Sequence, residues 1–104
     1  MRSSVRAIVR VRLAPWLRGE TFEGWLRALH PVEWAALVTG DADYELHVEC
    51  RGLGDLGDAL TRIRGCRGVE VASSALILHE VAGLVKQQRQ GPLDEVTMRR
   101  LRMM

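Results

Sequence analysis

Val38-Thr39-Gly40-Asp41-Ala42-Asp43-Tyr44-Glu45-Leu46 joins two runs of strand-forming residues through a Gly-Asp-Ala-Asp turn. Gly40 takes positive φ at little cost, and Asp41 and Asp43 can accept hydrogen bonds from nearby amides. On the upstream side, Val32 to Thr39 alternates Val32, Trp34, Ala36 and Val38 against Glu33, Ala35, Leu37 and Thr39. On the downstream side, Tyr44, Leu46, Val48 and Cys50 alternate with Glu45, His47, Glu49 and Arg51. Both runs have the period of two expected of strands, so the segment reads as a hairpin.

Outward from this hairpin the pattern changes period in a regular order. Phe22, Trp25, Leu26 and Leu29 fall at i, i+3, i+4 and i+7, which predicts an amphipathic helix over Gly19 to His30, stopped by Pro31. Val5 to Leu13 is a clean strand with Val5, Ala7, Val9, Val11 and Leu13 on one face and Arg6, Ile8, Arg10 and Arg12 on the other. After Gly52 to Gly54, the residues Leu53, Leu56, Leu60 and Ile63 predict a second helix closed by Gly65. A last strand starts at Gly68-Val69 and is expected to run to about Val81.

The order β-α-β-β-α-β, with two right-handed crossovers, predicts an α+β ferredoxin-like fold: a four-stranded antiparallel sheet with both helices on one face. The first and third strands are then central neighbours, and Arg6, Arg10 and Arg12 face Glu45 and Glu49. Such opposite-charge pairs are worth roughly 0.2–1 kcal/mol each and explain the arginine row without nucleic acid. The uncovered face, expected to carry Ile8, Leu37 and part of the last strand, is too apolar to stay wet. A second, two-fold related subunit is the expected cover, so an obligate dimer is predicted.

The 104 residues suit one domain, with 47% apolar and 27% charged side chains. No apolar run is long enough to span a bilayer and no signal-peptide stretch opens the chain, so no membrane partner and a cytoplasmic location are expected. Cys50 and Cys66 stand in no metal-ligand spacing, and no metal or cofactor is expected. The net charge is +2, with +3 over residues 82–104 and −1 over the first 81. Residues 1–81 therefore read as the folded domain. Residues 82–104 read as a polar linker, Lys86 to Gly91, followed by a helix in which Leu93, Val96, Arg100 and Leu101 recur at helical spacing.

The segment Val38-Thr39-Gly40-Asp41-Ala42-Asp43-Tyr44, the Leu46/Val48 alternation, Leu60-x-x-Ile63, Gly68-Val69 and Ser73-Ser74-Ala75-Leu76-Ile77-Leu78-His79-Glu80-Val81 together resemble the effector-binding (RAM) domain of the Lrp/AsnC regulators. The resemblance covers about residues 5 to 81. It implies dimerisation through the sheets, further assembly into rings of four dimers, and a small effector, usually an amino acid, held between dimers. It places that effector at Thr39, Gly40, Asp41, Asp43 and Tyr44, with Ser73 or Ser74 reaching in from another subunit. The two aspartates would take an ammonium, while backbone amides and hydroxyls would take a carboxylate. Ala42 stands where many relatives carry an aromatic residue. No helix-turn-helix fits in Met1 to Ser4, so the expectation is a stand-alone sensor or a piece of a longer regulator, acting with a DNA-binding partner and not reading DNA itself.

Two other classes compete. A small dimeric α+β-barrel enzyme would need poised groups, and His47, His79, Trp34 and Cys50 form no acid–base or nucleophile arrangement in the sequence. A pure oligomerisation module would carry the same turn without a ligand. An ACT domain shares the element order, but its ligand glycine follows the first strand, where this chain has Ala14-Pro15-Trp16.

Overall fold

A computed structural model describes residues 4–84. The expected helix after Pro92 lies outside them. The elements are β1 (Val5–Leu13), α1 (Gly19–Arg27), β2 (Val32–Leu37), β3 (Tyr44–Cys50), α2 (Leu53–Gly65) and β4 (Val69–Leu76). They form one antiparallel sheet in the order β2-β3-β1-β4. This is the βαββαβ arrangement that the periodicities predict.

The central strand β1 carries the core together with β3, whose alternate residues are buried on the same face, while β4 on its other side stays partly exposed. Ala7 pairs with Val48 and Leu76, Val9 with Leu46 and Ser74, and Val11 with Tyr44 and Ala72. Ala7, Val9, Val11, Leu46 and Val48 are buried together with Phe22, Leu26 and Leu29 from the first crossover and Leu56, Ala59 and Ile63 from α2. Both helices therefore cover one side of the sheet. Leu53 opens α2 but points to solvent, so the buried stripe of this helix is Leu56, Ala59 and Ile63.

Three boundaries differ from the sequence expectation, each for a physical reason. α1 ends at Arg27, and His30 lies beyond it, exposed. Ala28, Leu29 and Val32 donate to the carbonyls of Trp25, Leu26 and Leu29, so tight i→i+3 turns bury Leu29 while bringing the chain round to Pro31. β4 ends at Leu76 because β1 offers little further edge: the last bond is from Ile77 N–H to Arg6 O. Residues 78–81 leave the sheet.

The third difference concerns β2, which stops at Leu37 and carries a bulge between Val32 and Trp34. Val32 pairs with Val48, Trp34 with His47, Ala35 with Leu46 and Leu37 with Tyr44. One extra residue, Glu33, thus breaks the alternation. Leu37 falls on the helix side, not on the open face, while Trp34 and Ala36 join Ile8 there. Val32 and Trp34, expected on one side, face opposite ways.

The open face holds the arginine row largely as anticipated. Arg6 is paired in register with Glu49 and Arg10 with Glu45, the latter with Nη1 donating to Oε1 at 2.8 Å. Arg6 also pairs with Glu33 and Glu80. Arg12 departs from the expectation: its Nε and Nη2 donate to the backbone carbonyl of Asp41 at 3.0 and 2.5 Å. Trp34, 47% exposed, lies against His47 with ring centroids 4.4 Å apart. Among the described residues no helix is long and apolar enough to cross a membrane.

The approach of the β1–α1 loop to the start of β4 depends on Gly68. Its φ is +97°, and a Cβ there would sit 2.7 Å from Leu17 Cδ2 and 3.1 Å from the Trp16 ring. Ala14 N–H donates to Gly68 O at 2.7 Å, so the loop cannot simply withdraw. Gly68→Ala is expected to destabilise the fold by about 1–3 kcal/mol, read as a lower urea midpoint. Gly40→Ala, at φ +108° with nothing within 4 Å, should cost less because only the backbone is strained.

Candidate functional site

The Gly40–Asp43 turn is built by pinning it to the central strand. Val38 N–H donates to Asp43 O at 2.9 Å and Asp43 N–H to Val11 O at 2.8 Å. The Asp43 carboxylate accepts from Leu13 N–H at 2.8 Å, beside the Arg12/Leu13 irregularity where β1 shifts register against β4. That amide would otherwise lack a ladder partner, so one Asp43 oxygen is committed to holding the strand. Ala42 is buried beneath the turn.

The turn separates the expected site residues onto two sides of the sheet. Asp41 and Ser73 come together on the open face, in a recess of about 200 Å³ lined also by Arg10, Arg12, Ala42 and Val71. Ser73 is there because β4 lies beside β1 with Ser73 opposite Arg10. The Asp41 carboxylate sits 3.4 Å from Arg10 Nη2 and is largely exposed to water. Thr39 and Gly40 precede Asp41 in the turn and are exposed, but do not line the recess. Ser74, opposite Val9, points to the other side of β4.

Asp43 and Tyr44 line a different hollow, between the β1–α1 loop and the turn, with Leu13, Leu17, Gly19 and Glu23. Tyr44 is only 3% exposed, and its ring packs against Phe22 with centroids 5.1 Å apart. Its phenol donates to Glu23 Oε2 at 2.5 Å. Burial first, then this carboxylate, pushes the phenol up to about 12. Tyr44 is thus a core residue tying the hairpin to α1, and neither it nor Asp43 meets Ser73 within one subunit.

Arg10, Arg12 and Val71 complete the recess but are absent from the sequence-derived set. The signal for them lies in β1, where period two places both arginines on the open face. Their meeting with Ser73 follows only once β4 is set beside β1. The carboxylates opposite them make the cluster mixed rather than basic: Asp41 and Glu45 stand against Arg10 and Arg12. This composition offers an anion and a cation contact together with one hydroxyl, a match for a small zwitterion and not for a polyanion.

Little else supplies reactive chemistry. Among the described residues no group of three or more His, Cys, Asp and Glu could hold a metal ion. Burial pushes the Cys50 and Cys66 thiols up, and both are unpaired cysteines. His47 is 3.3 Å from a Glu45 oxygen and stacked on Trp34, with no nucleophile beside it in the register.

A βαββαβ domain with one antiparallel sheet in the order β2-β3-β1-β4 and both helices on one side has the ferredoxin-like fold. A profile of the Lrp/AsnC ligand binding domain matches residues 6–83, and the chain belongs to that family. AsnC of Escherichia coli superposes with a TM-score of 0.69 at 19% identity, over 73% of this chain and 52% of that one. A regulator from Neisseria meningitidis, NMB0573, solved as a complex with L-Met, gives 0.68 at 23% identity, over 76% and 53%. FFRP-DM1 gives 0.65 at 28% identity, over 71% and 99%. The chain thus spans about half the length of the first two. No curated protein sequence matches it.

Two measurements check this geometry. Asp43→Ala removes the acceptor of Leu13 N–H and is expected to lower the unfolding free energy by about 1–3 kcal/mol in denaturant titration. The protein has a single tyrosine, so its ionisation is read directly from ultraviolet absorbance. The folded midpoint is expected near pH 12 and not near 10. Because the folded-state value is raised, the phenol's contribution to stability is full below pH 10 and is lost as pH rises towards 12. Unfolding in urea should return the midpoint to the ordinary value.

Proposed function

We propose that this domain senses a small amino acid at a site completed where subunits meet, and that occupancy sets the assembly presented to a DNA-binding regulator partner. The carrying observation is the recess of Asp41, Arg10, Arg12 and Ser73 on the rim of an uncovered sheet face. At about 200 Å³ it is smaller than the roughly 300–1,000 Å³ of self-sufficient ligand pockets. Its charges face bulk water, where an ion pair gains about 1 kcal/mol; covering by a second copy lowers the local dielectric and raises that gain several-fold. An ammonium then goes to Asp41, and a carboxylate to the guanidinium edges and Ser73. Thr39 and Gly40 are the exposed part of the turn over which the other subunit closes.

The cover is a second copy laid on the face that exposes Trp34, Ile8 and Val71. A two-fold dimer buries these and leaves the turn at its margin, open to the neighbouring dimer of a larger ring. NMB0573 supports the chemistry by analogy, since its complex contains L-Met. The reading is regulatory and not catalytic: His47, Cys50 and His79 have no constellation, and the described histidine contacts are to Trp34 and Glu45. One observation favours an assembly module without a ligand. Arg10 and Arg12 already bond to Glu45 and Asp41.

A thermal-shift screen against the twenty amino acids, with light scattering on any hit, separates these readings. At one hundred times Kd an effector adds about 2.7 kcal/mol, raising Tm by roughly 10 °C or more for a domain of this size. Asp41→Asn and Ser73→Ala are expected to abolish that shift while leaving the unliganded Tm within about 2 °C, since both side chains are exposed. Uniform silence across the amino acids, on a stable dimer, would replace the sensor with the assembly module. A hit that survives both substitutions would move the site elsewhere.

A further inference from the structure

At the end of the sheet where β1 begins, the open face carries more carboxylate than guanidinium. Arg6 pairs with Glu33 at 3.4 Å and with Glu80, and Glu49 stands opposite it in the β1–β3 register. Three carboxylates from the β2 bulge, from β3 and from the segment after β4 thus meet one cation. Fully ionised, the cluster is left with two uncompensated negative charges. Further along the same face the charges are balanced more evenly. Arg10 meets Glu45 at 2.8 Å, and His47 lies 3.3 Å from the other Glu45 oxygen.

The excess charge has an internal outlet, because Glu33 is hydrogen-bonded to Glu49. An ionised carboxylate only accepts hydrogen bonds, so a bond between two carboxyl groups requires a proton on one of them. This bond, then desolvation, holds the Glu33 carboxyl above its ordinary value, while Arg6 pulls the other way. In the single subunit water screens the cluster, whose Arg6, Glu33 and Glu80 side chains are 37%, 40% and 58% exposed. A covering subunit removes that water. Burying a net negative cluster is costly, and one shared proton halves its uncompensated charge. The argument does not depend on how the two copies are rotated, since Arg6, Glu33 and Glu49 meet on the covered face itself. The covered state therefore holds more protons than the separate subunits, and assembly strengthens as pH falls.

We infer that pairing of two copies through the open face is proton-dependent, with the dimer holding a proton between Glu33 and Glu49. In mildly acid solution the subunits associate tightly, and they loosen as that proton is lost. Arg6 and Glu80 set the background charge against which it acts. The inference rests on the reading above that a second copy covers this face, and it is independent of any effector at Asp41.

The test is sedimentation velocity of the full chain over a dilution series at about pH 5.5 and about pH 7.5. Each proton taken up on pairing changes the association constant about tenfold per pH unit. The dimer is thus expected to be at least roughly tenfold tighter at the lower pH. Glu33→Gln keeps a hydrogen-bond donor to Glu49 but removes the titrating group. It is expected to give a dimer that is tight at both pH values. His47→Gln should leave the pH dependence as it is. A dimer equally tight at both pH values would overturn the inference while leaving the covered face in place. A dependence that survives Glu33→Gln, or one lost in His47→Gln, would also overturn it. A chain that stays monomeric throughout would remove the covering subunit and the inference together.

Discussion

The hydrogen bonds from Asp43 to β1 hold the two halves of this domain in one frame. The residue's amide donates to Val11 O and its carboxylate accepts from Leu13 N–H, so a hairpin turn becomes a clamp on the central strand. Everything positioned by the turn inherits that constraint. Tyr44 is driven under α1, where Glu23 meets its hydroxyl, and Asp41 is thrown to the other side, where Arg10 and Arg12 wait. Leu13 is also where β1 slips register against β4, a point at which a sheet needs an acceptor from outside the ladder.

The same clamp explains why one run of six residues serves two faces. Asp41 and Asp43, two residues apart, would share one side of a regular strand, but the turn pinned by Asp43 N–H to Val11 O sends them to different hollows. One is consumed by backbone and the other is left for solvent or a ligand. The charge on the open face follows a similar economy of partners. Arg6 is shared by Glu33 and Glu80, and the Glu49 hydrogen bond, followed by burial, raises the Glu33 carboxyl above its ordinary value. These pairs are exposed, so they contribute modestly to the monomer and act chiefly on what may approach the face.

How much of this was legible in the sequence depended on the range of the interaction concerned. Strands β1 and β3 were readable because each buries every second residue, and the arginine–glutamate facing followed from their adjacency. The element order carried the fold class. Local irregularities were not readable. Nothing in Val32-Glu33-Trp34 announces which residue is the extra one, so strict alternation put Leu37 on the wrong face. The helix end after Arg27 was hidden by Leu29, whose burial continues the apolar stripe after the regular helix has stopped. The resemblance to a regulator family put Asp41, Ser73, Asp43 and Tyr44 in one candidate set; that the first two share a recess, and that the last two bond to Leu13 N–H and Glu23, needed coordinates. A carboxylate aimed at a backbone amide thirty residues away has no signature in spacing.

The bulge in β2 has a consequence for how this surface can evolve. Glu33 is the residue that the ladder does not count: Val32 and Ala35 keep their core partners Val48 and Leu46 on either side of it. Its side chain nevertheless reaches across to Arg6 on the open face. Lineages can therefore exchange the charge at this position, or delete the residue altogether, without asking the interior to repack. Diversification of the exterior is thereby uncoupled from conservation of the core, and it costs a single surplus amino acid.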